Sequence, residues 1–195
     1  TPLGPTPTRA PITVNVPARN PGSSSAMPTP DQPHPIPTPR DHLAAVVVDG
    51  GLYAVGGRPL DPDRNFAMLE RYDPGTDRWM VGPRMPTARG GIAAVATGGT
   101  VHVFGGETSR RVFPEHEVFT PAESRWRAAP PLPTPRHGIA AAVVGGRIFI
   151  IGGGPHAGLA QTAVVEVFEP PGFAASPRAP VPVAPVNDGG PPSAP

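Results

Sequence analysis

Three arginines stand at matched places in this sequence, and they are its clearest candidates for binding chemistry. Arg40, Arg89 and Arg136 are separated by 49 and 47 residues, and each one ends a Pro-Thr-x-Arg motif. A guanidinium group is a planar fork of donors that suits carboxylates and sugar hydroxyls. Together with polar neighbours, the arginines form the candidate ligand-binding set, which is Arg40, Asp41, His42, Arg89, Arg136 and His137.

The same arginines have a second interpretation, because three glutamates recur in step with them. Glu70, Glu117 and Glu166 each follow the arginine of their own unit by 28 to 30 residues. Each arginine could therefore form an ion pair within its unit, and such pairing does not preclude ligand contact. The sequence leaves both interpretations open.

The arginines belong to repeating units of nearly constant length. In each unit an apolar run follows the arginine, then a turn, a second apolar run that ends in two glycines, a loop and an aromatic residue. The aromatic residue and a tryptophan are 7 residues apart in the first two units, whereas the third unit has Ala175 at the tryptophan position. The shared structural residues are Gly56, Gly57, Tyr72, Trp79, Gly105, Gly106, Phe119, Trp126, Gly152 and Gly153.

The units have the composition of short β-strands. Their apolar runs are rich in β-branched residues and end at glycine pairs or Asp-Pro turns. Gly50-Gly51, Gly98-Gly99 and Gly145-Gly146 are predicted to form tight hairpin turns. About four strands in each unit of some 48 residues is typical of a propeller blade. The predicted blades are 37–85, 86–132 and 133–170.

This pattern resembles the kelch repeat, in its double glycines, its spaced aromatic and tryptophan, and its Pro-x-Arg starts. The resemblance implies an all-β fold with about three four-stranded antiparallel blades of a kelch-type β-propeller, the last one incomplete. Three blades make half of a typical six-bladed ring. A homodimer could close the ring, the chain could be a fragment of a longer protein, or its flanking blades could be degraded. We favour the fragment.

The two ends of the chain differ in composition from the units. Residues 1–36 are rich in Pro, Thr and Ser, and residues 171–195 are rich in Pro and Ala. Such segments are predicted to be extended and disordered, acting as linkers. Residues 171–195 could also be a degraded outer strand, because their spacing continues the repeat without its tryptophan and arginine.

The composition excludes several classes of function. A net charge of +1 and the absence of lysine argue against nucleic acid. The absence of cysteine excludes disulfides and thiolate chemistry, and the six histidines lack metal-ligand spacing, so no metal or cofactor is predicted. No apolar run is long enough for a membrane span, and no signal peptide is visible. Both a cytoplasmic and a secreted location remain open.

The function predicted from these features is binding of a protein or a carbohydrate through one rim of the blades. The loops 58–66, 107–114 and 154–162 differ between units, as expected where specificity resides. One alternative is a sugar-processing propeller of the mutarotase or epimerase kind, and another is a non-functional repeat fragment. The resemblance also implies a galactose oxidase-like fold, but that enzyme's activity is excluded because its Tyr–Cys crosslink requires a cysteine.

Overall fold

The computed structural model describes residues 33–170, so the flanks predicted to be disordered lie outside the described residues, apart from 33–36. The described part has no α-helix, and none of its helical segments could span a membrane. It contains one 3₁₀ turn at Pro121–Glu123 and eleven strands: β1 Ala44–Val48, β2 Gly51–Val55, β3 Leu69–Asp73, β4 Arg78–Val81, β5 Ala93–Thr97, β6 Thr100–Phe104, β7 His116–Thr120, β8 Arg125–Ala129, β9 Ala140–Val144, β10 Arg147–Ile151 and β11 Val165–Phe168.

The strands form three antiparallel sheets, one from each repeating unit. Blade 1 has the order β1-β2-β3-β4, blade 2 has β5-β6-β7-β8, and blade 3 has β9-β10-β11. Each sheet is a meander in which neighbours in sequence pair with each other. The predicted all-β fold of three antiparallel blades is confirmed, and within the described residues the third blade has three strands.

The first hairpin turn differs from the prediction by one residue. Its two central residues are Asp49 and Gly50, with φ of 48° and 72°, and Gly51 already begins β2. A two-residue hairpin of this type needs positive φ at both central positions, which aspartate tolerates better than most residues. The predicted turns at Gly98-Gly99 and Gly145-Gly146 do form as expected.

The hydrophobic core lies between neighbouring blades. One buried cluster joins blades 1 and 2 and includes Val55, Leu69 and Val101, and a second joins blades 2 and 3 and includes Phe104 and Ile148. Blade 2 is therefore covered on both faces, which explains its continuous apolar runs. On the outward faces of the other two blades, apolar side chains remain exposed, including Val47, Val144, Ile151, Val165 and Val167.

Backbone hydrogen bonds also connect the blades at one repeated position. Gly91 N donates to His42 O at 2.9 Å, and Gly138 N donates to Gly91 O at 2.7 Å. His42, Gly91 and Gly138 each lie two residues after the arginine of their unit. The result is a string of hydrogen bonds that passes from one blade to the next.

Each tryptophan of an outer strand fastens its blade to the segment before it. Trp79 Nε1 donates to His34 O at 2.8 Å, and Trp126 Nε1 donates to Pro83 O at 2.9 Å. Each indole also packs against the aromatic residue opposite it, with 5.2 Å between the ring centroids of Phe119 and Trp126. Trp126 therefore closes the outer end of the interface between blades 1 and 2, and Trp79 contacts the segment before blade 1 in the same way.

The double glycines permit close approach of adjacent blades. Gly105 has φ of 63°, and a Cβ atom placed there would lie 2.3 Å from Arg136 O of the next blade. Gly56 has φ of 60°, and a Cβ atom placed there would lie 2.6 Å from Arg89 O of the next blade. Both the backbone conformation and the space therefore require glycine at these positions.

A matched pair of substitutions separates these two requirements. Gly98 has a similar φ of 57°, but a Cβ atom there would meet nothing within 4 Å. We expect Gly98→Ala to lower the free energy of unfolding by about 1 kcal/mol, from backbone strain alone. Gly105→Ala adds a clash with the next blade and is expected to cost about 1–3 kcal/mol more. Urea denaturation of both variants measures the difference, and equal costs would contradict this explanation.

Candidate functional site

The Pro-Thr-x-Arg motif encloses the glutamate of its own blade. In blade 2, Arg89 Nη2 donates to Glu117 Oε2 at 2.8 Å, and the Thr87 hydroxyl donates to Glu117 Oε1, also at 2.8 Å. Arg89 Nη1 donates to two carbonyl oxygens, those of Gly105 at 2.8 Å and Glu115 at 2.7 Å. Hydrogen bonds from this motif, which precedes β5, therefore connect the start of blade 2 to β7 and to the residue that follows β6.

The other two blades repeat this arrangement. Arg40 and the Thr38 hydroxyl donate to the two oxygens of Glu70. Arg136 Nη2 donates to Glu166 Oε2 at 2.7 Å, where the backbone N–H of Thr134 takes the place of a hydroxyl. All three arginine side chains are fully buried.

These contacts match the pairing interpretation of the arginines. Direct ligand contact would require a guanidinium group to leave a glutamate and buried carbonyl oxygens, which is costly inside a protein. The threonine of the motif was not recognised from sequence as a partner of the glutamate. Its constant position, two residues before each arginine, was the signal that could have shown it.

The remaining members of the candidate set lie outside this buried network. Asp41 and His42 are exposed next to each other at the entrance to blade 1, with 3.2 Å between His42 Nδ1 and Asp41 Oδ1. His137 is largely buried at the entrance to blade 3, where Nδ1 lies 3.4 Å from Glu107 Oε1. The structure thus separates the six residues into a buried trio and a polar group near the loops.

Glu107 connects the loops of all three blades. Its Oε1 lies 3.4 Å from both Arg58 Nη1 of blade 1 and His137 Nδ1 of blade 3, and its Oε2 accepts from Gly158 N at 3.0 Å. Asn65 Nδ2 donates to its backbone oxygen at 2.7 Å. The three unlike loops therefore form one continuous surface, which we call the rim and define as residues 41–42, 58–66, 107–112 and 154–162.

The rim presents two leucines to solvent. Leu60 is 98% exposed and Leu159 is 108% exposed, in the loops of blades 1 and 3. Between them, the Ser109 hydroxyl of blade 2 donates to the Asp63 carboxylate of blade 1 at 2.7 Å. Beside Leu60 is a shallow cavity of about 280 Å³, lined by Pro39 to Asp41 and by Arg58 to Leu60. The polar contacts hold the loops while the leucine side chains stay free.

A chain of hydrogen bonds runs through two buried histidines between blades 2 and 3. Thr100 Oγ1 lies 3.0 Å from His102 Nε2, His102 Nδ1 lies 2.9 Å from His116 Nε2, and His116 Nδ1 lies 3.0 Å from Pro130 O. Because a carbonyl only accepts, neutral rings have His116 Nδ1–H donating to Pro130 O and His102 Nδ1–H donating to His116 Nε2. The single hydrogen of the Thr100 hydroxyl then has two acceptors, His102 Nε2 at 3.0 Å and Thr97 O at 2.8 Å.

Burial keeps both rings neutral near pH 7. It is the largest cause that lowers the pKa of His102 and of His116 to about 4, and the positive charge of Arg127 acts in the same direction. For His116, the hydrogen bond to Pro130 opposes this shift, while His102 and Arg89 add to it. This pair was not recognised from sequence, although both histidines stand where unit one has the less polar residues Tyr53 and Leu69.

Across residues 33–170, no cluster of three or more His, Asp or Glu side chains is placed to hold a metal ion. The fold and the site define an all-β repeat protein, built of propeller-type blades that each contain a buried Arg–Glu pair and that together carry a loop rim. The chain matches the family described as the KLHDC2/KLHL20/DRC7 Kelch-repeats domain over residues 22–162. It therefore belongs to the kelch-repeat family.

Several known proteins are similar to this chain. Kelch-like protein terF of Aspergillus terreus is 35% identical over 141 residues, which are 70% of this chain and 31% of the relative. F-box/kelch-repeat protein At1g16250 of Arabidopsis thaliana is 35% identical over 82 residues, 42% of this chain and 21% of the relative. Kelch-like ECH-associated protein 1B of Danio rerio is 37% identical over 73 residues, 36% of this chain and 12% of the relative. The chain thus spans a third or less of these relatives.

Proposed function

We propose that this kelch array is a binding module that recognises a protein partner through its rim. The observation that carries the proposal is the pair of fully exposed leucines, Leu60 and Leu159, on loops that polar contacts hold in place. A side chain that is apolar and free on an ordered loop gains free energy when a partner covers it. One relative is named as ECH-associated, which is consistent with a family that associates with other molecules.

The charges of the rim support a protein rather than a polyanion as the partner. Acidic and basic side chains are mixed there, and the exposed ones include Asp41, Asp61, Asp63, Arg64, Arg110 and Arg111. A surface of mixed sign favours one complementary partner and disfavours others, whereas a uniform field attracts any opposite charge. The mixture around two apolar anchors is the usual composition of a specific protein interface.

The carbohydrate and sugar-processing alternatives receive less support. Both depended on arginine forks at a channel, and the forks of Arg40, Arg89 and Arg136 are occupied by glutamates and carbonyl oxygens. Closure of a ring by a second copy would use the end faces of blades 1 and 3. It would leave the rim free and is compatible with the proposed function.

The test is a comparison of partner capture by matched variants. We expect the double variant Leu60→Glu and Leu159→Glu to lose the proteins that the wild-type chain captures from a lysate, because a buried carboxylate without a partner opposes binding. Quantitative mass spectrometry of the captured proteins measures the loss. Because Leu60 and Leu159 are fully exposed, replacing them should not change the stability of the fold. The melting temperature should therefore stay within a few degrees of the wild-type value.

The matched control carries the same chemical change outside the rim. Met80 and Val81 lie on β4, the outer strand of blade 1, and are 47% and 72% exposed. Met80→Glu with Val81→Glu should leave the captured proteins unchanged. If both double variants capture the same proteins as wild type, the rim is not the binding surface and the proposed function fails.

A further inference from the structure

The two buried histidines of blade 2 belong to a longer series of polar contacts, which we call the histidine chain. It runs from the carbonyl oxygen of Thr97 through the Thr100 hydroxyl and the rings of His102 and His116 to the carbonyl oxygen of Pro130. Its four contacts measure 2.8, 3.0, 2.9 and 3.0 Å in that order. Each contact is a hydrogen bond only if one hydrogen lies in it, and the carbonyl oxygens at the two ends supply none.

A count of hydrogens shows that the histidine chain is one short when both rings are neutral. The Thr100 hydroxyl and each neutral imidazole carry one hydrogen, so three hydrogens serve four contacts. The gap lies beside Thr100, where either Thr97 O or His102 Nε2 is left without a donor. A buried acceptor without a donor costs free energy.

A single added proton removes this gap. When His102 is protonated, its Nε2–H donates to the Thr100 hydroxyl, that hydroxyl donates to Thr97 O, and Nδ1–H still donates to His116. When His116 is protonated instead, it donates to both His102 Nδ1 and Pro130 O, and His102 adopts its Nε2–H tautomer. Four hydrogens then serve four contacts in either case, and no ring has to move.

A second added proton has the opposite effect. Both rings then carry a hydrogen on each nitrogen, so His102 Nδ1–H and His116 Nε2–H point at each other across 2.9 Å. Two positive charges also lie side by side, with 5.2 Å between the ring centroids. Like charges this close repel each other, most strongly away from water. The bond between the two rings therefore breaks at the second proton.

The groups packed around the rings do not neutralise the second charge. Arg127 on β8 acts against a positive charge on either ring, and Arg89, which precedes β5, acts against one on His116. Among the described residues that line the cavity beside the rings, the one carboxylate is that of Glu169, and it is paired with Arg147 Nε at 3.1 Å. The charge therefore has to be relieved by movement of a ring.

The ring of His116 takes part in the packing between blades 2 and 3. Its centroid lies 4.0 Å from that of Phe104 on β6 and 5.4 Å from that of Phe168 on β11. The equivalent interface between blades 1 and 2 has Tyr53 and Leu69 where blade 2 has its two histidines, and these side chains take up no proton in acid. In a repeat array each interface contributes its own stability. Acid therefore weakens one interface and spares the other.

We propose that the histidine chain is a site for a single proton and acts as a two-step acid switch between blades 2 and 3. The first proton completes the hydrogen bonds and leaves the blades packed. The second separates His102 from His116 and opens the interface beside Phe168, whereas the interface between blades 1 and 2 stays closed. The switch uses none of the rim residues and does not depend on the proposed partner.

NMR of the histidine rings in the full chain tests the first step. With isotope-labelled histidine, the ring nitrogens report which of them carries a hydrogen. Between pH 8 and pH 3 we expect His102 and His116 to take up two protons in separate steps, at least about one pH unit apart, because the second proton meets a charge and breaks a bond. After the first step the backbone amides of all three blades should keep their protection from hydrogen exchange.

Hydrogen exchange across the same pH range tests the second step. Protection, corrected for the intrinsic exchange rate at each pH, should fall at least about tenfold in β10 and β11 when the second proton is taken up, a change that matches local opening of one unit. The strands β2 and β3 should keep their protection. The fluorescence of Trp126 should not change at this step, because it packs in the cluster between blades 1 and 2.

Thr100→Val is the variant that isolates the missing hydrogen. It leaves the contacts of His116 with His102 and with Pro130, and two neutral rings supply both. An added proton then finds no acceptor at His102 Nε2, so the first step should shift to lower pH by about 0.5–1 unit, equivalent to one hydrogen bond. Thr97→Val is the matched control, because it keeps the carbonyl oxygen that belongs to the histidine chain and should titrate like wild type.

Three results would overturn the proposal. The first is uptake of both protons in one step by the wild-type chain. The second is loss of protection in blade 3 at the first proton, or in all three blades together at the second. The third is the same titration for Thr100→Val and Thr97→Val. The first two results come from the wild-type chain and so do not depend on the folding of a variant.

Discussion

Replacing Glu117 by alanine is expected to lower the free energy of unfolding by about 3–5 kcal/mol, the cost of leaving a buried charge without its partner. Arg89 is fully buried, and burial is the largest cause that lowers its pKa, while the negative charge of Glu117 is the first that opposes this. Without the carboxylate, the guanidinium must remain charged in a medium that solvates it poorly. Urea denaturation monitored by tryptophan fluorescence measures the loss.

Two companion variants make this result interpretable. Glu123→Ala removes an exposed carboxylate and should change the free energy of unfolding by less than about 0.5 kcal/mol. Arg89→Met with Glu117→Leu removes both charges, but it also takes donors from the carbonyl oxygens of Gly105 and Glu115. This double variant should recover only part of the free energy of unfolding that Glu117→Ala loses. A cost below about 1 kcal/mol for Glu117→Ala would mean that the pair does not hold the blade.

The second large effect is a dependence of stability on pH between about 6.5 and 4. His102 and His116 have a pKa near 4 in the folded chain and an ordinary value of 6.5 when unfolded. The unfolded state therefore binds protons first as the pH falls, so stability is full above pH 6.5 and decreases until pH 4. From the linkage relation, each histidine lowers the free energy of unfolding by about 2 kcal/mol at pH 5 relative to pH values well above 6.5.

The repeat itself supplies the control for this prediction. Blade 1 has Tyr53 and Leu69 at the positions of His102 and His116. The double variant His102→Tyr and His116→Leu should lose most of the stability change between pH 7 and pH 5, as measured by thermal melting at both values. If wild type and variant lose stability equally over this range, other groups titrate there and the histidine chain is not responsible.

The blade architecture was predictable from sequence because it depends on residues whose types are strongly constrained. The first glycine of a pair, as at Gly56 and Gly105, is required where the backbones of two blades meet, and the aromatic–tryptophan spacing fixes the outer hairpin. The first hairpin turn lies one residue earlier than Gly50-Gly51 predicts, because Asp49 can also adopt positive φ.

The site was less predictable, because burial decides what a side chain can do. The sequence placed Arg40, Arg89 and Arg136 at equivalent positions but left their direction open, since an arginine can reach either a ligand or a glutamate from the same backbone position. The contact between His102 and His116 depends on two strands brought together by the sheet register. No local pattern encodes such a pair, although comparison of the units would have shown two histidines at positions with less polar side chains.

The string of backbone hydrogen bonds through His42, Gly91 and Gly138 gives the array a polarity. Each bond runs from the N–H of the later blade to the carbonyl of the earlier one, so the two ends of the array are unlike. A segment that continues the string must either donate a backbone N–H to the carbonyl oxygen of Gly138 or accept from the N–H of His42. Two copies of blade 1, or two copies of blade 3, therefore cannot be joined by this bond. If a second copy closed a ring with this one, blade 3 of each chain would therefore contact blade 1 of the other. The two seams would be identical by symmetry, and one substitution at an end face would weaken both.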